Sequence, residues 1–168
     1  MEELINKLKK KIKEAPNKCF FNEAVEYGYY HEFEDEHPLI LQLPMSFITF
    51  LHYYNGGFIS IKALTDQDDI ETYAWNSNQI LSLDELEKAY NRIEHKFYNS
   101  EYEFTPFLRT RIGEYLAFRY PYEGDESEVY DIWHEATPTE WLQQKVYDSF
   151  PDLLKDYIEK DGDIKTIG

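Results

Sequence analysis

The chain has 168 residues, 42% of them hydrophobic and 17% aromatic, and a formal net charge of −16. A chain of this length can bury roughly 70% of the surface its unfolded form exposes, and the aromatic fraction excludes a disordered chain. No stretch approaches the ~18 apolar residues that span a bilayer, and the lone Cys19 excludes an internal disulfide.

The charge is unevenly spread. Residues 1–18 hold six Lys and three Glu, a net of +3, so residues 19–168 carry −19. A body that acidic repels nucleic acid and anionic lipid and attracts basic partners at long range. In the basic segment Leu4, Ile5, Leu8 and Ile12 recur at helical spacing, which predicts an amphipathic helix over residues 1–15, ended by Pro16 and packed on the acidic body. Its alternating apolar and basic residues make no secretory h-region, so a cytoplasmic protein is expected. No repeat, linker or low-complexity block divides the chain, and a single domain over 1–168 is expected.

Residues 19–42 mix aromatic and acidic side chains without a sustained period and predict a short strand or an irregular cover segment. In "LPMSFITFLHYYNGGF" (43–58), Pro44 suits the first helical position, and Phe47, Phe50, Leu51 and Tyr54 predict a helix running to about Tyr54. Asn55 and Gly56 are then expected to close its last turn in the left-handed conformation, with Gly57 turning the chain into a strand from 58. A phosphate loop would need the reverse order, strand before helix, and a Gly-Lys-Ser/Thr ending. "FISIKAL" (58–64) and "IETYAW" (70–75), separated by "TDQDD", predict a β-hairpin.

"SLDELEKAYNRIEHKF" (82–97) predicts a helix with Ser82 as N-cap and Glu85 completing a capping box. "YEFTPFL", "EYLAFRY" and "EVYDIWH" predict three strands, the last two joined by the acidic turn "PYEGDES". Ser149 and Pro151 open a terminal helix that stops at Gly162. Without regular βαβ alternation the class is α+β, a mainly antiparallel sheet of about four to six strands flanked by helices.

Chemistry-bearing patterns are sparse. His31 and His37, with Glu32, Glu34, Asp35 and Glu36 between them, lack metal-ligand spacing and read as a solvated acidic loop. "DQDDIE" (66–71) fails as a calcium loop because Ile70 and Glu71 stand where an oxygen ligand and a glycine belong. Cys19 reads as a small buried hydrophobe, and no Gly-x-Ser-x-Gly elbow is present. His134 and Glu135 could do acid–base work but read as a solvent-facing strand end.

The Leu-Pro, helical Phe-Leu and Asn-Gly-Gly pattern of "LPMSFITFLHYYNGG" resembles the signature of the SUKH superfamily, named for the fungal cell-wall regulators Smi and Knr. Leu43, Pro44, Asn55, Gly56 and Gly57 fall on that signature. "SLDELEKAY", "FTPFL", "GEYLAFRY", "EVYDIWHE" and "SFPDLLKDYIE" follow in the order the family leads one to expect, so the likeness covers about residues 38–160. The resemblance implies an α+β interaction module rather than an enzyme, with no cofactor and no metal. Its bacterial members are immunity proteins encoded beside polymorphic toxins, many of them nucleases, and its fungal members are signalling scaffolds. The expected partner is therefore a basic toxin domain, with a regulatory scaffold role as the alternative; a small metal-dependent hydrolase rests only on the number of His and carboxylates. Expected contacts are Glu34, Asp35 and Glu36 and the acidic turn with Tyr122, Glu123, Asp125, Glu126 and Glu128.

Overall fold

Leu116 and Phe118 of one strand enter one apolar cluster while Ala117 between them enters another, so the sheet is covered on both faces. The computed structural model describes residues 1–24 and 38–167. Among these, seven strands form one antiparallel sheet in the order of the chain: β1 (Cys19–Glu23), β2 (Tyr54–Ile59), β3 (Gln79–Ile80), β4 (Glu103–Arg109), β5 (Tyr115–Tyr120), β6 (Val129–Ile132) and β7 (Lys145–Tyr147). Every strand pairs with its neighbour in sequence, the meander that short antiparallel connections allow. The longest pairing, Glu103 to Arg109 against Tyr120 to Tyr115, carries a register shift between Pro106 and Leu108. Proline has no N–H to give the ladder, which suits it to an irregular point.

The helices among these residues are α1 (Glu2–Glu14), α2 (Met45–Leu51), α3 (Ile70–Trp75), α4 (Leu83–Ile93), α5 (Pro138–Trp141) and α6 (Phe150–Glu159), with 3-10 turns over Pro38–Gln42 and Glu94–Phe97. One cluster joins α1, α2 and α6 to the sheet. Its centre is Phe47 of α2, whose ring lies 5.0 Å from Phe150 of α6, 5.4 Å from Phe107 of β4 and 5.3 Å from Phe118 of β5. Phe47, Phe107, Phe118 and Phe150 are fully buried, each contributing about 2–3 kcal/mol from burial alone. Ile5 and Leu8 of α1 belong to the same cluster, as the amphipathic pattern requires. The other cluster sets Phe104, Ala117, Tyr130 and Ile132 of the sheet against Phe97 and Trp141. Trp141 can be buried there because its indole Nε1 donates to Trp133 O at 3.0 Å.

The α+β class with an antiparallel sheet is what the sequence predicts, as are α1, the three strands β4 to β6 and α6. The capping box of α4 is complete: Glu85 N donates to Ser82 Oγ at 3.4 Å and Ser82 N to Glu85 Oε2 at 2.8 Å. Four expectations are corrected. "IETYAW" is not a strand but α3, because Asp69 caps it, accepting from Glu71 N at 3.0 Å and Thr72 Oγ1 at 2.7 Å. The expected hairpin partner is thus absent, and β2 pairs with β1 and β3 instead. The second helix ends at Leu51 rather than Tyr54, with Pro44 as its N-cap rather than its first residue. The strand that follows already contains Asn55, Gly56 and Gly57, so the triplet does not close the helix. Among the described residues the sheet has seven strands rather than four to six, since β1, β3 and β7 are short segments without a strand period.

Candidate functional site

The signature residues sit where three elements meet. Leu43 is buried, and Pro44 leads into α2 in an extended conformation. The Asn55 side chain lies under the start of α4: its Oδ1 accepts from Leu83 N at 3.0 Å, satisfying an amide that the helix leaves without a partner. Its carbonyl accepts from Asn22 Nδ2 at 3.0 Å. A Cβ on Gly56 would stand 2.5 Å from Ser82 N and 2.7 Å from Leu81 C, and one on Gly57 would stand 2.5 Å from Phe20 O and 2.6 Å from Phe21 Cα. Glycine is required at both because the neighbours are main chain, which cannot step aside.

The acidic turn between β5 and β6 is fastened to the start of α2. Tyr122 Oη donates to Leu43 O at 2.8 Å, and Met45 N donates to Asp125 O at 2.9 Å. Glu126 accepts from Ser46 N at 3.2 Å and from Ser46 Oγ at 2.5 Å. A carboxylate on the first free amides of a helix is favoured by both hydrogen bonding and the helix dipole, so Glu126 caps α2 from across the fold. Burial pushes the Tyr122 phenol up, with Glu126 adding to it.

Glu128 is also engaged. It accepts from Tyr130 Oη at 2.5 Å and from Lys145 Nζ at 3.0 Å, and lies 3.6 Å from Arg119. The Tyr130 bond, with the Lys145 bond after it, holds the Glu128 carboxyl below its ordinary value. Burial, then the same carboxylate, pushes Tyr130 up to about 12. Tyr102, Arg119, Pro121, Tyr122, Glu123, Glu126 and Glu128 together line a cavity of about 440 Å³ open to solvent.

Of the expected contacts, then, the structure brings Tyr122, Glu123, Glu126 and Glu128 to one cavity, with Asp125 on the same turn. Tyr122, Glu126 and Glu128 make internal bonds, whereas Glu123 and Asp125 have exposed side chains. Glu34, Asp35 and Glu36 lie outside the described residues. So do His31 and His37. Asp68 and Asp69 of the rejected calcium loop are spent on Thr65 and on capping α3. His134 is an exposed residue beyond the end of β6, its Nδ1 2.5 Å from Glu114 Oε1 and its Nε2 3.9 Å from Glu135. Cys19 is buried, and burial raises its thiol, the inert state expected of a core cysteine. Among the described residues no group of three or more His, Cys, Asp and Glu is arranged to hold a metal ion, and no helix is long and apolar enough to cross a membrane.

A second cavity was not legible in the sequence. Also about 440 Å³, it is lined by Trp75, Gln79, Glu85, Lys88, Arg92 and Arg109 among others. Trp75 is 64% exposed and Arg109 only 6%. Trp75 sits in a segment that reads as a strand, and an arginine at the end of β4 carries no motif.

The site thus stands on an antiparallel meander with both faces covered and an acidic turn docked on α2. The family model of the SMI1 / KNR4 family (SUKH-1) matches residues 31–156, and the chain belongs to that family, whose members bind partner proteins. No curated protein matches the chain.

Proposed function

We propose that this protein is a cytoplasmic immunity protein that binds a basic toxin domain directly and occludes its active or substrate-binding surface. The observation that carries the reading is the acidic turn, where Glu123 and Asp125 face solvent on a loop held in place by Tyr122 and Glu126. A rigid loop with free carboxylates loses little conformational entropy on docking. The net charge of −16 adds long-range attraction for a basic surface and speeds encounter. Family membership supports a binding role rather than a chemical one.

The whole chain acts as one binding unit in this reading, with residues 1–15 packed on the body as an integral helix. Co-expression with the product of the neighbouring gene tests it. Capture of that product by the purified protein, together with restored growth of cells expressing it, is the expected result. No capture and no rescue would remove the immunity reading.

A further inference from the structure

Arg109 is the last residue of β4 and is more than nine-tenths buried. Its Nη2 donates to Ala74 O and Gln79 Oε1, both at 2.9 Å. Its Nε and Nη1 are buried without any hydrogen-bond partner. A guanidinium is always charged and carries five N–H donors, so leaving part of it dry and unpaired is costly and calls for a physical reason. No carboxylate is bonded to it: both hydrogen bonds go to uncharged oxygens, and Glu85, which with Tyr115 acts on it through space, hydrogen-bonds Ser82 and Gln79 instead.

What closes the site is Trp75, whose ring centre lies 3.7 Å from the Arg109 Cζ. Trp75 ends α3, a helix of six residues that buries none of them. An element so lightly anchored opens at small cost. Stacked on Arg109 and mostly in solvent, Trp75 is also the type of side chain that dominates protein interfaces. Around the mouth stand Lys88 and Arg92, both exposed, with Glu71 and Glu85. Three cations against two carboxylates leave one positive charge in a molecule of net −16, which matches a monoanion better than a phosphate dianion.

We propose that this corner is a carboxylate-binding site that takes an acidic side chain of a partner protein: Trp75 swings off Arg109, the carboxylate accepts from the donors it uncovers, and the indole packs on the incoming segment. The site shares no lining residue with the acidic-turn cavity and stands whether or not the partner is a toxin.

The test is titration of the ¹⁵N-labelled protein with an acetylated, amidated hexaglutamate peptide. Saturable movement of the Arg109 Nε–H and Trp75 Nε1–H resonances is expected, with little response to hexalysine or inorganic phosphate. Arg109→Met should abolish the response while the remaining amide spectrum is kept. Should Arg109→Met fail to fold, the double variant Lys88→Glu/Arg92→Glu changes only exposed residues and should weaken the peptide roughly tenfold. Unmoved Arg109 and Trp75 resonances in the wild type, an equal or larger response to phosphate, or full binding by the charge-reversed variant would each overturn the assignment.

Discussion

Gly57 of β2 and Gly124 of the acidic turn both hold positive φ, at 149° and 74°, yet a methyl group would meet main chain at 2.5 Å in the first and nothing within 4 Å in the second. The contrast extends to their surroundings. The β2 region is locked on both sides, by β1 and by the β3–α4 junction, and its glycines are there because backbones touch. The acidic turn is fastened at its ends, to α2 through Tyr122 and Glu126 and to β7 through Glu128, while Glu123, Gly124 and Asp125 between them are exposed. The family signature therefore records how the fold closes, while the surface proposed to meet a partner lies where the fold places no such demand.

The largest break in this comparison should come from Gly57→Ala, which forces β1 and β2 apart and should cost at least ~3 kcal/mol in denaturant unfolding. Gly124→Ala carries only the left-handed backbone penalty, about 1–2 kcal/mol. If the two variants lose equal stability, the close approach is not what requires glycine at 57. Glu126→Ala removes two bonds to the start of α2 and should cost about 1–2 kcal/mol, and Asn55→Ala, which leaves Leu83 N unpaired, about 1 kcal/mol. Urea midpoints at unchanged m-value would measure both.

Glu128 sharpens the comparison through pH. Its carboxyl is held below the ordinary 4.5 by Tyr130 first and Lys145 next. A depressed carboxyl contributes stability above the unfolded value and loses it as pH falls through the folded one. Wild type should accordingly exceed Glu128→Gln at pH 7, with the gap closing below about pH 4.5 as the carboxylate is protonated. A gap that does not depend on pH would mean the ionised form is not what matters. The smallest stability effect belongs to Glu123→Lys/Asp125→Lys, within about 0.5 kcal/mol, since both side chains are exposed.

Where a segment's own chemistry decided its state, the sequence was legible. The Ser82–Glu85 box starts α4, and the apolar stripe of α6 faces the core it predicts. "IETYAW", with two β-branched and two aromatic residues in six, fits either period, and the deciding group, the Asp69 carboxylate, lies just outside it. The triplet 55–57 departs from its expected role for a different reason. Its glycines answer to Phe20, Phe21 and Ser82, residues that only the folded chain brings near. Likewise the acidic turn was visible as charge, but its division into fastening and exposed carboxylates depends on Ser46, 80 residues away from Glu126. The Arg109–Trp75 corner left no trace because nothing in a linear pattern distinguishes a buried arginine from an exposed one.

The central claim, recognition of a basic partner through the exposed carboxylates of the acidic turn, is tested most directly by association rates with the neighbouring gene's product over a range of salt. The wild type should associate fast at low salt with a steep decline as salt rises, and Glu123→Lys/Asp125→Lys, equally stable, should associate more slowly with a shallower decline. Identical rates and salt slopes for the two proteins would contradict it.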